Sequence, residues 1–377
     1  MKIAQVSPLI ESVPPRLYGG TERVVSYLTE ELVRQGHDVT LFASADSETS
    51  ARLVPCSSEA LRLDPNVRDH IPYHAMMLER IKRLADRFDI LHFHTDLIHF
   101  PVFAETKHVT LTTLHGRQDL FDLRNFYQAF PGMPLVSISN AQRAPIPGAN
   151  FAATVLHGLP ECLLPASARA RGGYLAFVGR ISPEKRVDRA IEIAQAAGLP
   201  LRIAAKVDRA DEAYFRERIA PLLNTEGVEY IGEIDERAKA AFLGDALALL
   251  FPIDWPEPFG LVMIEAMACG TPVLAFNCGS VPEVIDPGVT GYIVDSIDEA
   301  IRALGPLLNL DRKRIRRRFE EGFTAGRMAA DYVRLYETQL ALHGRRRKAI
   351  MPAARPILLP ARRPEQPIGV GSAADQV

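Results

Sequence analysis

No apolar run in this 377-residue chain approaches the ~20 residues that a membrane-spanning helix requires. The opening MKIAQVSPLI carries one Lys and soon turns polar, so it reads as a first strand rather than a signal peptide. Cysteine is scarce and unpatterned. Cys56, Cys162, Cys269 and Cys278 show neither CxxC nor Cys/His spacing, which disfavours a structural zinc site and a disulfide framework and makes a reducing cytoplasm the expected setting. Excess charge of one sign is also missing: the net charge is -2, with 24% charged and 47% hydrophobic residues and a mean hydropathy of -0.01. Residues 345–377 hold seven Arg/Lys against Glu365 and Asp375, a net of +5, so the remaining 344 residues sum to -7. A mildly acidic body argues against a nucleic-acid-binding protein. The G-x-G-x-x-G/A fingerprint of a dinucleotide dehydrogenase follows neither the first strand nor Val178. Its one match, Gly369 to Ala374, lies in the tail with no strand before it.

What the chain does have is alternation. Strand candidates at 2–7, 39–44, 90–95, 109–115 and 135–139 are separated by helix patterns such as 22–36, where Val24, Val25, Leu28, Leu32 and Val33 share a stripe and Gly36 is the stop. A Pro- and Gly-rich stretch, 141–173, holds one short strand candidate at 153–157. A second series follows at 174–179, 201–207, 228–232, 246–252, 272–276 and 291–295. Strand, helix, strand with short links predicts parallel α/β sheets, and the restart predicts two doubly wound halves. The expected boundaries are 1–160, 161–324, a last helix at 325–342 packing back on the body, and a basic, Pro-rich disordered tail at 343–377. That tail reads as solvated; contact with anionic lipid is the less favoured reading.

Open parallel sheets bind ligands beyond the carboxyl ends of their strands. The first such loop, 7–23, ends in Gly19-Gly20 before a helix. The pair either lets a phosphate approach the backbone at the helix N-terminus or merely turns the chain. In the second half, Arg180 and Lys185 lie after the strand 174–179, where a guanidinium fork and an ammonium suit a diphosphate better than they suit a bare surface. The segment 251–276 sets Glu257 in a loop just before a helix predicted at about 259–268 and Glu265 inside it, among Leu261, Val262, Met263, Ile264, Met267 and Cys269. A carboxylate in that company needs donors: ligand hydroxyls, a buried Arg or a cap. The two glutamates are expected ~10 Å or more apart, beyond the span of a glycosidase acid/base pair. Carboxylate, helix N-terminus, carboxylate matches sugar, diphosphate and ribose in order. His92, His94 and His99 read as cleft or packing residues rather than metal ligands, and Asp119 and Asp122 as helix caps in preference to acceptor contacts.

The blocks GGTERVV (19–25), HFH (92–94), LHG (114–116), VGRISPEKRVD (178–188) and EPFGLVMIEAMACGTPV (257–273) resemble the retaining glycosyltransferases of family 4, the group 1 glycosyltransferases, in the right order over about residues 1–340. SPEK, WPEPFG and GSVPEV resemble especially the branch that includes the avilamycin-pathway glycosyltransferase. The resemblance implies a GT-B fold, two Rossmann-like domains facing a cleft. It also implies transfer of a hexose from a nucleotide-diphosphate donor, UDP-glucose-like by family frequency, with retention and without a metal or other cofactor. The absence of D-x-D is consistent with that.

By position, the resemblance gives Arg180 and Lys185 to the diphosphate, with the amides of Phe259, Gly260 and Leu261. It gives Glu257 to sugar hydroxyls, Glu265 to the ribose, Gly19 and Gly20 to a phosphate-covering loop, and His115 to the donor sugar's side. Glu257, His115, Arg180 and Lys185 are the expected catalytic set. Arg186 stands where the family usually has glycine. The expected partners are the nucleotide-sugar and an acceptor that the sequence does not name. A nucleotide-sugar 2-epimerase and a non-catalytic nucleotide-sugar sensor are the rival readings.

Overall fold

The computed structural model describes residues 1–350 other than Tyr18 and Lys107, with only the backbone described for 345–350. In the first half the strands are β1 (Lys2–Val6), β2 (Asp38–Ser44), β3 (Arg52–Ser57), β4 (Ile90–Phe93), β5 (Thr110–Thr113), β6 (Leu135–Ser137) and β7 (Phe151–Thr154). They form a parallel sheet in the order β3-β2-β1-β4-β5-β6-β7. The second half holds β8 (Leu175–Arg180), β9 (Leu201–Lys206), β10 (Val228–Gly232), β11 (Ala248–Phe251), β12 (Val273–Phe276) and β13 (Gly291–Val294), parallel in the order β10-β9-β8-β11-β12-β13. The central strand β11 is buried on both faces and reads as a continuous apolar run, while β1, buried from Ile3 to Val6, carries one polar residue in that stretch, Gln5.

Strand β3 is absent from the sequence reading. Its run RLVPCS contains Pro55, which lacks an N–H and confines the segment to the sheet edge. The other strands stand where the alternation places them, shifted by a few residues at most.

Six helices matter for the site: α1 (Gly20–Arg34), α2 (Val187–Ala197), α3 (Glu236–Asp245), α4 (Leu261–Ala268), α5 (Arg312–Gly322) and α6 (Ala325–Ile350). Of the predicted stripe on α1, Val24, Val25, Leu28 and Leu32 are buried, and Val33 half so. The helix predicted from about 259 begins at Leu261, because Gly260 has φ 79° and cannot continue a right-handed turn.

The chain leaves the first sheet after β7 and crosses back at 323–325, and the two crossings lie side by side. The Leu159 amide donates to Phe323 O at 2.9 Å and the Ala325 amide to Leu159 O at 2.7 Å. A Cβ on Gly158 would stand 2.2 Å from Thr324 O, so this contact requires glycine. Helix α6 then packs on the first domain, not on the second that precedes it. The Tyr332 hydroxyl meets Thr113 at 2.8 Å, and the Tyr336 hydroxyl meets His92 at 2.7 Å. This helix runs to Ile350, so the expected break at 342/343 is eight residues early. The rest of the tail expectation, 351–377, lies outside the described residues. No helix among the described residues is long and apolar enough to cross a membrane.

Candidate active site

In each sheet the strand order reverses between two neighbours, β1 and β4 in one and β8 and β11 in the other. Loops diverge at such points and leave a crevice. The loops after β1, β4 and β5 face those after β8 and β11 across one cavity of about 590 Å³. Gly19, Gly20, His115, Arg180, Lys185, Glu257, Phe259, Gly260, Leu261 and Glu265 all line it. Two scattered halves of the sequence thus supply a single site.

Two helix starts meet there. Helix α1 is preceded by Gly19 (φ 153°) and α4 by Gly260 (φ 79°), and neither has a side-chain cap. Apart from the Met263 amide, which donates to Gly260 O at 3.0 Å, their leading N–H groups have no side-chain cap and are left for whatever occupies the cavity. A Cβ on Gly20 would lie 3.9 Å from Leu261 Cδ1, so the two starts approach closely across the cleft. Both flanking positions favour glycine: a Cβ at Gly19 would fall 2.7 Å from Pro15 Cβ, and at Gly260 the φ of +79° strains any side chain.

Lys185 ends a short 3-10 turn, Pro183–Lys185. Its ammonium donates to Glu257 and lies 4.9 Å from the centre of the Trp255 ring. The Trp255 indole N–H donates to the same Glu257 oxygen at 3.1 Å. Trp255 is the chain's single tryptophan. Arg180, the last residue of β8, contacts Glu184 at 2.9 Å and Asp208 at 3.5 Å. The Glu257 backbone is held from behind by Gly279, where a Cβ would stand 2.3 Å from Glu257 O at a φ of +57°. Gly279→Ala is expected to push the Glu257 loop out of place. It should cost at least ~1 kcal/mol of stability and weaken ligand binding in a fluorescence titration more than the melting temperature alone would suggest. Unchanged binding would remove this role from Gly279.

Glu265 is 4% exposed and its partner is Lys239 of α3, at 2.7 Å, rather than an Arg or a cap. Lys239 also reaches Glu236 at 3.6 Å, and Glu236 pairs with Arg23 on α1. The charge chain thus links the two domains. At Arg186 the backbone is left-handed (φ 52°, ψ 49°), the conformation a glycine would favour. The side chain is ion-paired to Asp188 and Asp254 at 2.9 and 2.8 Å, so the loop keeps this geometry without glycine.

His115 follows β5. Its Nε2 is 2.9 Å from His94 Nδ1, and its ring stacks on His157 at 5.3 Å. Burial lowers the pKa of His92 and of His115 to about 3 and those of His94, His99 and His157 well below the usual value, so all five rings are neutral near pH 7. The nitrogens of His92 and His99 bond to Thr113 and Tyr336 and to Thr112 and Thr95, so protein groups engage them. Asp119 is not a cap: it pairs with Arg117 at 2.6 Å, and the helix Phe121–Ala129 has no side-chain cap. Asp122 lies in that helix's first turn.

The structure adds cleft residues that the sequence reading left out. Glu22, in the first turn of α1, is 5% exposed, and burial pushes its carboxyl up to about 7. Asp96 lies on the cavity wall with φ 48°, and desolvation raises its carboxyl above the usual range. The Glu beside the glycine pair was a visible signal for the first. Nothing in the sequence marks a strained backbone at the second.

Two family models match the chain: "Glycosyltransferase Family 4" over residues 18–145 and "Glycosyl transferases group 1" over residues 167–322. A glycogen synthase from Mycobacterium tuberculosis is 28% identical over 330 residues, 74% of this chain and 79% of that protein. A phosphatidyl-myo-inositol mannosyltransferase from Mycobacterium leprae is 26% identical over 377 residues, 90% of this chain and 97% of that protein. AviGT4, a glycosyltransferase involved in avilamycin A biosynthesis, superposes with a TM-score of 0.70 at 26% identity over 90% of this chain and 98% of that one. A sucrose-phosphate synthase from Thermosynechococcus elongatus shares the fold at 19% identity, with a TM-score of 0.76 over 91% of this chain and all of that one. With one matching model on each side of the cleft and two facing Rossmann-like domains between them, the chain belongs to the group 1 glycosyltransferases of GT-B fold and is a glycosyltransferase.

Proposed function

We propose that the protein moves a hexose from a nucleotide-diphosphate sugar, UDP-glucose-like, to an acceptor hydroxyl with retention at the anomeric carbon. The observation that carries this reading is the meeting of two uncapped helix starts, α1 and α4, in one cavity with Lys185 and Arg180. Two positive dipole ends and two cations suit a pyrophosphate. The barrier is departure of the nucleoside diphosphate from an oxocarbenium-like centre, and charge accumulates on the departing oxygens. Lys185, Arg180 and the amides of Phe259, Gly260 and Leu261 lower that barrier by meeting the charge as it forms. The positive charge comes from side chains and helix ends, so the reaction as proposed requires no metal.

Glu257 receives the donor sugar's hydroxyls once Lys185 turns from it to phosphate, and Glu265 receives the ribose. His115 stands beside the sugar, and Gly19 and Gly20 let the first loop close over the phosphates, keeping water from the reacting carbon. Four free thiols fit a reducing, cytoplasmic setting.

The single tryptophan provides the test, because it lies within the cavity against Lys185 and Glu257. Titration with UDP-, GDP-, ADP- and dTDP-glucose should change Trp255 fluorescence saturably, with UDP-glucose binding tightest. An NMR time course with UDP-glucose and a panel of acceptors should then show a new α-linked product. An isomeric sugar nucleotide formed without acceptor would make the protein an epimerase. Tight binding with no turnover would make it a sensor. No response to any nucleotide sugar ends the proposal.

A further inference from the structure

Behind the cavity a chain of polar side chains runs through otherwise apolar core. Gln5, on the central strand β1, is fully buried. Its Oε1 lies 2.8 Å from His94 Nε2, and its amide nitrogen donates to the Tyr336 hydroxyl at 3.1 Å. The Tyr336 hydroxyl is 2.7 Å from His92 Nδ1, and His92 Nε2 is 2.7 Å from Thr113 Oγ1. On the cleft side, His94 Nδ1 is 2.9 Å from His115 Nε2. The mechanism proposed above uses only the last ring of this chain.

Hydrogen-bond polarity propagates along it. A carbonyl oxygen only accepts, so Gln5 Oε1 requires the proton of His94 on Nε2. The ring is neutral, so His94 Nδ1 is a bare lone pair. That lone pair requires a donor, and its partner is His115 Nε2, which therefore carries the proton of His115. The remaining nitrogen, His115 Nδ1, is left unprotonated, and among the described residues no protein group bonds it. His115 lines the cavity.

We infer that Gln5 and His94 are positioning residues that lock His115 in its Nε2–H tautomer, so that it offers an acceptor lone pair to a hydroxyl of the bound sugar. On the other side the Tyr336 hydroxyl accepts from the Gln5 amide nitrogen at 3.1 Å. Helix α6, which crosses from the second domain onto the first, thereby joins the network that ends at a residue in the cleft. Reversing the Gln5 amide would reverse every proton along the chain and make His115 a donor at Nδ1, so the two polarities are chemically opposite states of one network. The inference rests on the glycosyl-transfer reading only for the identity of the hydroxyl; the tautomer is a property of the protein alone.

The first experiment is therefore independent of activity. Two-bond 15N–1H correlation spectra of the full chain labelled with 15N-histidine, assigned with His115→Gln and His94→Gln variants, should show both rings as Nε2–H tautomers near pH 7.5. An Nδ1–H tautomer at His115 overturns the inference. The second experiment is kinetic. His94→Leu removes the acceptor that holds His115, and should lower kcat by ~10-fold or more with a smaller change in the donor KM. His94→Asn places an amide oxygen near the position of Nδ1 and should restore the rate to within ~3-fold of wild type. A folded His94→Leu protein with full kcat, or equal losses in both variants, overturns the positioning role. If no nucleotide sugar is turned over by the wild type, the functional reading fails, and the spectra still decide the tautomer.

Discussion

Lys185→Ala is expected to lower sugar transfer at least ~100-fold, about 2.7 kcal/mol of transition-state stabilisation, while the protein remains folded. The ammonium stands at the junction of the groups that would share the donor: Glu257, the Trp255 ring and, at 5.7 Å, the Phe251 ring. Charge on a departing diphosphate is greatest in the transition state, so the loss should fall mainly on kcat rather than on the donor KM. Arg180→Ala and Glu257→Ala are expected to cost at least ~100-fold as well. Removing Lys185 also leaves the Glu257 carboxylate with the Trp255 N–H alone, a stability cost of ~1–3 kcal/mol that a thermal melt separates from the catalytic loss. Steady-state kinetics on the three folded variants check this. Full activity in all of them would remove the pyrophosphate grip from the mechanism.

The second large effect is loss of stability in mild acid. His92, His94, His99 and His157 are buried, His115 is half-buried at the cavity wall, and all five are neutral, with pKa values pushed below the ordinary 6.5 by loss of solvent. Their folded values are depressed, so the unfolded chain binds more protons as pH falls below about 6.5. Stability is then complete above about pH 7.5 and declines downward, continuing toward about pH 3 for His92 and His115. Between pH 7.5 and 5.5 the two rings with values near 3, His92 and His115, together cost roughly 3 kcal/mol, and His94, His99 and His157 act in the same direction. Glu22 acts in the opposite sense. Its folded carboxyl is raised to about 7, so the native state takes up a proton over the same interval and recovers about 2 kcal/mol. Five depressed imidazoles outweigh one raised carboxyl, so the expected net is a loss of stability in mild acid, against the ~5–15 kcal/mol of an ordinary domain. Denaturant unfolding at the two pH values measures it, and coincident midpoints would show that the histidines are not buried as described.

Much of the site was legible because its chemistry sits in short contiguous blocks. Arg180 ends β8 and Lys185 lies in the turn just after it, and Glu257 and the start of α4 share another short block, so spacing alone places charge beside a helix N-terminus. The partner of Glu265 was not legible. Lys239 lies on a different helix, 26 residues earlier in the chain, and only the packing of α3 against α4 brings it to 2.7 Å. The same holds for β3, where Pro55 hides an edge strand, and for Asp96, whose left-handed backbone has no sequence signature.

Alternation of apolar strands with striped helices is a local property, enforced by the periods of the two regular structures, and it determined the two doubly wound halves and the loops that carry the cations. Which domain receives the last helix is not local. The apolar face of α6 could cover either sheet, and the choice fell to Tyr332 and Tyr336, whose buried hydroxyls find Thr113 and His92 only on the first. The tertiary structure likewise decided that the glycine pair faces Leu261 across the cleft, because contacts between halves depend on how two complete domains dock, and no short window of sequence records that.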